Sequence, residues 1–358
     1  MKITDIKMEK VRIQLTEPFR VAFATIDYSE NLLIKVCTDE GLEGYGEAAP
    51  LPFVTGETID SVVSVIQMLR PGLIGMNPLD IEKIHELMDG CIHGNGSAKC
   101  AVDLAMYDLM GKAMGLPVYK ILGGYSNRVQ NDITIGINTP EAMAEEARVH
   151  VEKDGFHILK VKAGIHVKED IAALRLIRET VGPDIRLRVD ANQGYDVSDA
   201  VYAMEEFRKI GVEAVEQCLP AWDFEGAAYV RSKVKGIRVM LDESIHDHRD
   251  AARACKNGCA DTLNIKLMKC GGLFRASQIN AIAEAFGVNC MVGCMMETKL
   301  ATTAGVSLVA SKKNITEADC DSFLFYEDEQ TGMSGGFIRE NDLFTLLDAP
   351  GFGLDLSF

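Results

Sequence analysis

Residues 158–190 read ILKVKAGIHVKEDIAALRLIRETVGPDIRLRVD. A short apolar run ends at Lys162, an amphipathic run covers Asp170–Val181, Gly182-Pro183 breaks it, and a second apolar run ends at Asp190. Strand, helix, strand in this order means two parallel strands joined by a right-handed crossover. The rhythm continues on both sides. Further β runs are expected at Asp132–Ile137, Glu213–Glu216, Arg238–Asp242, Thr262–Lys266, Asn289–Val292 and Ile315–Asp319. Helical runs between them include Val197–Ile210, Leu273–Phe286 and Thr298–Ala310. Lys162 to Asp190 is 28 residues, Asp190 to Glu216 is 26, Glu216 to Asp242 is 26 and Asp242 to Lys266 is 24. Each step is one βα unit, and no residue identity repeats at that period, so this is not a solenoid. Eight such runs predict an α/β fold: a closed barrel with its active site at the C-terminal strand ends.

The first 120 or so residues follow another pattern. Lys2–Leu15 and Asn31–Thr38 alternate like antiparallel strands, and Gly41–Gly46 turns into a third. Gly56–Leu69, Asp80–Asp89 and Ser97–Met114 read as helices, the last with Ser97 as candidate N-cap. After Asp321 the rhythm is lost, and short β-like pieces are expected to return to the N-terminal part. The expected division is 1–125, 126–322 and 323–358.

The chain has 37 basic and 53 acidic residues and a net charge of −16, which argues against nucleic acid or an anionic membrane as partner. No apolar stretch reaches the roughly 18 residues of a membrane span. The start, MKITDIKMEKVRIQL, alternates like a strand and has no signal-peptide core, so a cytoplasmic protein is expected. Its ten cysteines then read as reduced thiols, and no CxxC pair suggests zinc. The single tryptophan, Trp222, is expected to pack.

Three acids end consecutive β runs: Asp190, Glu216 and Asp242. Adjacent parallel strands lie about 4.8 Å apart, so three carboxylates in register can share one hard divalent cation, for which Mg²⁺ is expected. Lys160 and Lys162 sit two apart on one strand and face one side; Lys266 ends a strand on the opposite arc. Crowding and burial are expected to lower the lysine pKa values towards neutrality. Lysines on either side of a metal-held carboxylate suit proton removal from one face of an α-carbon and return to the other. Asp319 and Asp321 point to one side of the last strand, where a substrate ammonium would relieve their charge.

Taken together, KVK at 160–162, DANQG at 190–194, EQ at 216–217, DES at 242–244 and NIKLMKCGG at 264–272 resemble the enolase superfamily, within it the muconate-lactonising subgroup. GCMMETKL at 293–300 and DCD at 319–321 resemble its dipeptide epimerases. The resemblance implies a modified (β/α)7β barrel of TIM type under an α+β capping domain built from both termini. It implies Asp190, Glu216 and Asp242 as Mg²⁺ ligands, Lys162 and Lys266 as the acid/base pair, Lys160 beside the substrate carboxylate, and Asp319 and Asp321 on the dipeptide ammonium. It places Thr134, Cys294 and Met296 along the substrate. A homo-oligomer is the expected assembly. One departure stands at Cys218, where the family usually has proline.

Pro18–Ile26 is expected to be a mobile loop over the mouth. Ala24 stands where similar Ala–Glu epimerases carry arginine, and Phe23, Ile26 and Phe53 are apolar neighbours. A hydrophobic or aromatic dipeptide is therefore expected over Ala–Glu. Within the same subgroup an N-acylamino acid racemase, an o-succinylbenzoate synthase or a cycloisomerase would keep the lysines and metal acids but need no ammonium clamp. A Schiff-base lyase or a non-catalytic metal-binding scaffold are more distant alternatives.

Overall fold

The structure, a computed structural model, describes residues 1–326 and 331–356. The chain opens with an antiparallel sheet of β1 (Ile3–Val21), β2 (Ala24–Thr38) and β3 (Glu43–Ala48), followed by α1 (Ile59–Leu73), α2 (Ile81–Cys91) and α3 (Gly96–Met114). Helix α3 is buried on all sides from Ser97 to Gly111. It can lie that close to β3 because β3 has no side chains in the way. A Cβ at Gly46 would stand 1.9 Å from the Ala101 carbonyl, and one at Gly44 2.3 Å from that of Ala105. Ser97 is not the N-cap of α3. Asn95 takes that place in a left-handed conformation, and the first amides, Ser97 N and Ala98 N, donate to the distant Glu57 carboxylate at 2.9 and 3.2 Å.

After α4 (Val118–Leu122) and β4 (Arg128–Gln130), strands and helices alternate. The strands are β5 (Ile133–Ile135), β6 (Ile158–Lys162), β7 (Arg186–Asp190), β8 (Val212–Glu216), β9 (Arg238–Leu241), β10 (Thr262–Lys266), β11 (Asn289–Gly293) and β12 (Ile315–Asp319). They form one parallel sheet in chain order. Around it run α5 (Pro140–Glu152), α6 (Val167–Val181), α7 (Val197–Ile210), α8 (Phe224–Lys233), α9 (His248–Lys256), the single turn α10 (Leu267–Cys270), α11 (Leu273–Ala285) and α12 (Lys299–Ser311). The barrel expected from the spacing is thus present. Its seam, between β5 and β12, is narrow: Asp132 N–H donates to the Ala318 carbonyl at 3.2 Å, and Thr134 N–H to the Asp321 carboxylate at 2.8 Å.

Three expectations change here. Pro18–Ile26 is not an open loop but the tip of the β1–β2 hairpin. Phe19 pairs with Ile26 and Val21 with Ala24, so only Ala22 and Phe23 turn; a register shift between Gln14 and Phe19 takes up Pro18, which cannot donate to a ladder. The tail, in turn, serves both parts of the molecule. Its strands β13 (Met333–Gly335) and β16 (Leu354–Leu356) pair together, while β14 (Phe337–Glu340) pairs with β15 (Leu343–Leu346), which in turn pairs with β4. Both its ends meet the N-terminal part: Tyr326 bridges Leu15 and the Phe325 ring lies 5.0 Å from that of Phe19, while Val118 N–H meets the Gly351 carbonyl and Phe352 N–H meets Asp108. Trp222 does not pack. It stands 76% exposed in the tight turn before α8. Among the described residues, no helix is long and apolar enough to cross a membrane.

Candidate active site

The ends of β6–β10 bring together the acids and lysines that their spacing suggests. Lys162 faces Asp190 across one rung and Asp190 faces Glu216 across the next, so register alone sets them side by side. Lys162 Nζ stands 2.7 Å from Asp190 Oδ2. Lys160, one inward position deeper, reaches Asp319 at 2.7 Å, Glu216 at 2.9 Å and Asp190 at 3.3 Å. On the other arc Lys266 lies 2.9 Å from Asp242 Oδ2, and Lys269 holds both the Oδ1 and the carbonyl of Asp242. Asn264 donates to Glu216 at 2.7 Å. All of these side chains are buried.

Charge sets the proton affinities. Burial opposes ionisation of Asp190, but Lys162 and Lys160 outweigh it and hold the pKa at about 2. Glu216 is pushed up to about 8 by burial and then by the charge of Asp190. The lysines depart from the expectation. Burial favours their neutral form, yet Asp319 and Glu216 raise Lys160 well above its usual range, and Asp242 raises Lys266. Crowding by acids, not by other cations, dominates.

A buried, all-oxygen trio in which one carboxylate is driven to about 8 by burial and then by the charge of Asp190 fits a hard divalent cation. Among the described residues, the group whose carboxylate oxygens all lie within 4.8 Å of one another is a different one: Asp132, Asp319 and Asp321. There, cations of the chain already stand on two members, Arg188 on Asp132 at 2.8 Å and Lys160 on Asp319. Asp321 accepts from Thr134 N–H and lies 3.6 Å from the Cys294 thiol, and Thr134 Oγ1 donates to Asp319 at 3.4 Å. Burial and then Asp319 push Asp321 up to about 6.

Above this polar floor is a cavity with about 70 Å³ of free space. Thr134, Lys160, Lys162, Asp242, Lys266, Cys294, Met296, Asp319 and Asp321 line it, together with Phe23 and Ile26 from the hairpin tip. Ala24 and Phe53 do not line it. Ala24 is half-buried opposite Val21, and Phe53 is 66% exposed, its ring 6.0 Å from that of Phe23. Phe19, Val21, Leu51, Val54 and Phe325 complete the apolar roof.

Residues 3–123 match the family model of the mandelate racemase / muconate lactonizing enzyme N-terminal domain, and residues 142–357 match the enolase C-terminal domain-like family. The chain belongs to the enolase superfamily. It is similar to a hydrophobic dipeptide epimerase from Enterococcus faecalis, 44% identical over 99% of both chains, and to an L-Ala-D/L-Glu epimerase from Clostridium acetobutylicum, 40% identical over 99% of both. The Enterococcus faecalis dipeptide epimerase, crystallised with Mg and the dipeptide L-Leu-L-Tyr, superposes with a TM-score of 0.96 over 99% of each chain.

This enolase-superfamily site contains residues that the sequence reading passed over. Asn192 and Glu243 line the cavity, each with a buried oxygen that has no partner. Both lie within two positions of a named acid, in DANQG and DES, and that adjacency was the available signal. Lys269 follows Lys266 by one helical turn in NIKLMK. Asp132 had no local signal, since its partners Arg188 and Asp319 are distant in sequence.

Proposed function

We propose that this enolase-superfamily chain is a Mg²⁺-dependent dipeptide epimerase that inverts the α-carbon of the C-terminal residue by 1,1-proton transfer. The observation that carries the reading is the placement of Lys162 and Lys266 on opposite arcs of one mouth, with the Asp319–Asp321 pair at its far edge. In the proposal Lys162 serves one face of the α-carbon and Lys266 the other. Whichever is neutral takes the proton, and its protonated opposite supplies one. Asp190, Glu216 and Asp242 would hold the cation, which when bound draws charge from these acids and from the substrate carboxylate and so steadies the enediolate left by proton loss. Lys160, wedged among Asp190, Glu216 and Asp319, adds positive charge beneath that carboxylate. Asp319 and Asp321 receive the ammonium, and Thr134, Cys294 and Met296 border the N-terminal residue.

The apolar roof supports a preference for hydrophobic or aromatic dipeptides. Phe19, Val21, Phe23 and Ile26 offer a glutamate side chain no cation, and a carboxylate buried without a partner costs at least about 1–3 kcal/mol. An N-acyl substrate would bring no charge to the two aspartates, which counts against the racemase reading. A capping part of 1–125, a barrel of 126–322, a tail of 323–358, a cytoplasmic location and a homo-oligomeric assembly belong to the same proposal. A dipeptide panel in D₂O with Mg²⁺, read by mass spectrometry, tests it. Deuterium should enter at the C-terminal residue's α-carbon, with hydrophobic dipeptides ahead of Ala–Glu. Exchange of N-acyl amino acids in preference to every dipeptide would overturn the proposal.

A further inference from the structure

Glu47 ends the GYGE run of β3 and is fully buried where the N-terminal sheet meets the barrel. Its Oε1 accepts from Asn31 Nδ2 and from Thr298 N–H, both at 2.7 Å; its Oε2 accepts from Thr298 Oγ1 at 2.6 Å and Ala301 N–H at 2.9 Å. Thr298 is the N-cap of α12, so an acid from another part of the chain satisfies the otherwise unpaired first amides of a barrel helix. Asn31 Nδ2 also donates to the Met296 carbonyl at 2.9 Å, and Ser29 Oγ lies 3.0 Å from the same carbonyl. Met296 and its neighbour Cys294 form one wall of the substrate cavity. Ile26, which lines the same cavity and packs on the apolar cluster that holds Met296, sits on the same strand as Ser29 and Asn31. One strand therefore lines the cavity at Ile26 and, five residues on, holds the 294–298 segment at Asn31, a span of about 17 Å at the strand rise of roughly 3.3 Å per residue.

We propose that Glu47 and Asn31 are positioning residues that fix the 294–298 wall against the hairpin tip, so that the width of the substrate pocket is set from the N-terminal sheet. The inference rests on the dipeptide reading of that pocket. None of these groups touches the reacting atoms. They act through the Met296 carbonyl and the start of α12.

Glu47→Gln preserves shape but turns an amide NH₂ towards donors that need an acceptor. Two measurements on the full-length protein decide the matter. Amide hydrogen exchange over residues 294–301 should quicken by about tenfold or more while residues 186–190 are unchanged. For a hydrophobic dipeptide, KM should rise about fivefold or more with kcat within about twofold, a split that general loss of stability does not produce. Unchanged exchange at 294–301, or unchanged KM, overturns the inference. If Glu47→Gln does not fold, Ser29→Ala, which removes the hydroxyl that lies on both the Met296 carbonyl and Asn31 Oδ1, must show both changes in the same direction. If the unaltered protein exchanges no dipeptide α-proton, the dipeptide reading fails, and the exchange at 294–301 alone decides the latch.

Discussion

Asp321→Asn separates what the site costs from what it recognises. In the folded chain Asp321 ionises at about 6, against 3.8 for an ordinary aspartate, because it is buried and because Asp319 is beside it. The folded state therefore binds an extra proton between those two values, and stability falls as pH rises through that window and levels off above about 6. At pH 7 the accumulated loss is about 3 kcal/mol, from some two pKa units at about 1.4 kcal/mol each. Asparagine removes the charge yet keeps an oxygen for Thr134 N–H, now 2.8 Å away. The variant should melt higher than the native protein at pH 7, and the two should nearly coincide at pH 4. The same variant loses a charged partner for the substrate ammonium, worth about 1.5–3 kcal/mol, so KM for dipeptides should rise roughly 10- to 100-fold. Thermal melts from pH 4 to 8, with kinetics at pH 7.5, test both halves. A variant less stable than the native protein at pH 7 would refute the charge argument. An unchanged KM would refute the ammonium clamp.

Lys162→Ala and Lys266→Ala should each lose epimerisation by at least about 10²-fold, since a positioned acid or base contributes about 10²–10⁴. Each should still exchange the α-proton of one diastereomer in D₂O, and equal residual exchange of both would contradict the two-faced arrangement. Chelation should abolish turnover and Mg²⁺ should restore it, with Asp242→Asn needing more Mg²⁺ for half-maximal rate. Full turnover after chelation would remove the metal from the proposal.

The barrel was legible because its information is local. From Lys162 to Lys266 successive β runs end in charged residues about 26 positions apart, and parallel register turns that spacing into neighbours such as Lys162, Asp190 and Glu216. The acid pair was legible in EADCD, although the last strand ends at Asp319 and Asp321 stands beyond it in a helical backbone conformation, so strand alternation is not what brings the two together. Properties that depend on three-dimensional company were not. The raised lysine pKa values come from Asp319, Glu216 and Asp242 meeting inside the barrel, which no window of sequence shows. The hairpin tip was misread because Pro18 interrupts the alternation, whereas the structure absorbs it in a register shift and resumes pairing at Phe19. Ala24 was placed by position along a loop, but its pairing with Val21 decides where its side chain turns, and Phe53 stands exposed in the turn after β3. The tail's lower half went unanticipated because its partner, β4, is only three residues long.

The narrow seam between β5 and β12 divides the site by how it is held. Asp190, Glu216 and Asp242 stand at the ends of strands joined by a continuous ladder. Asp319 and Asp321 face Thr134 and Asp132 across a junction with one backbone–backbone bond, the rest of it made by side chains of Asn131, Thr134, Asp319 and Asp321. A local opening of that junction would leave the acid trio intact while dissolving the pocket for the amine. A ligand bridging both halves would act as a staple across that join, so part of its binding energy would be spent on holding the cylinder closed rather than on affinity.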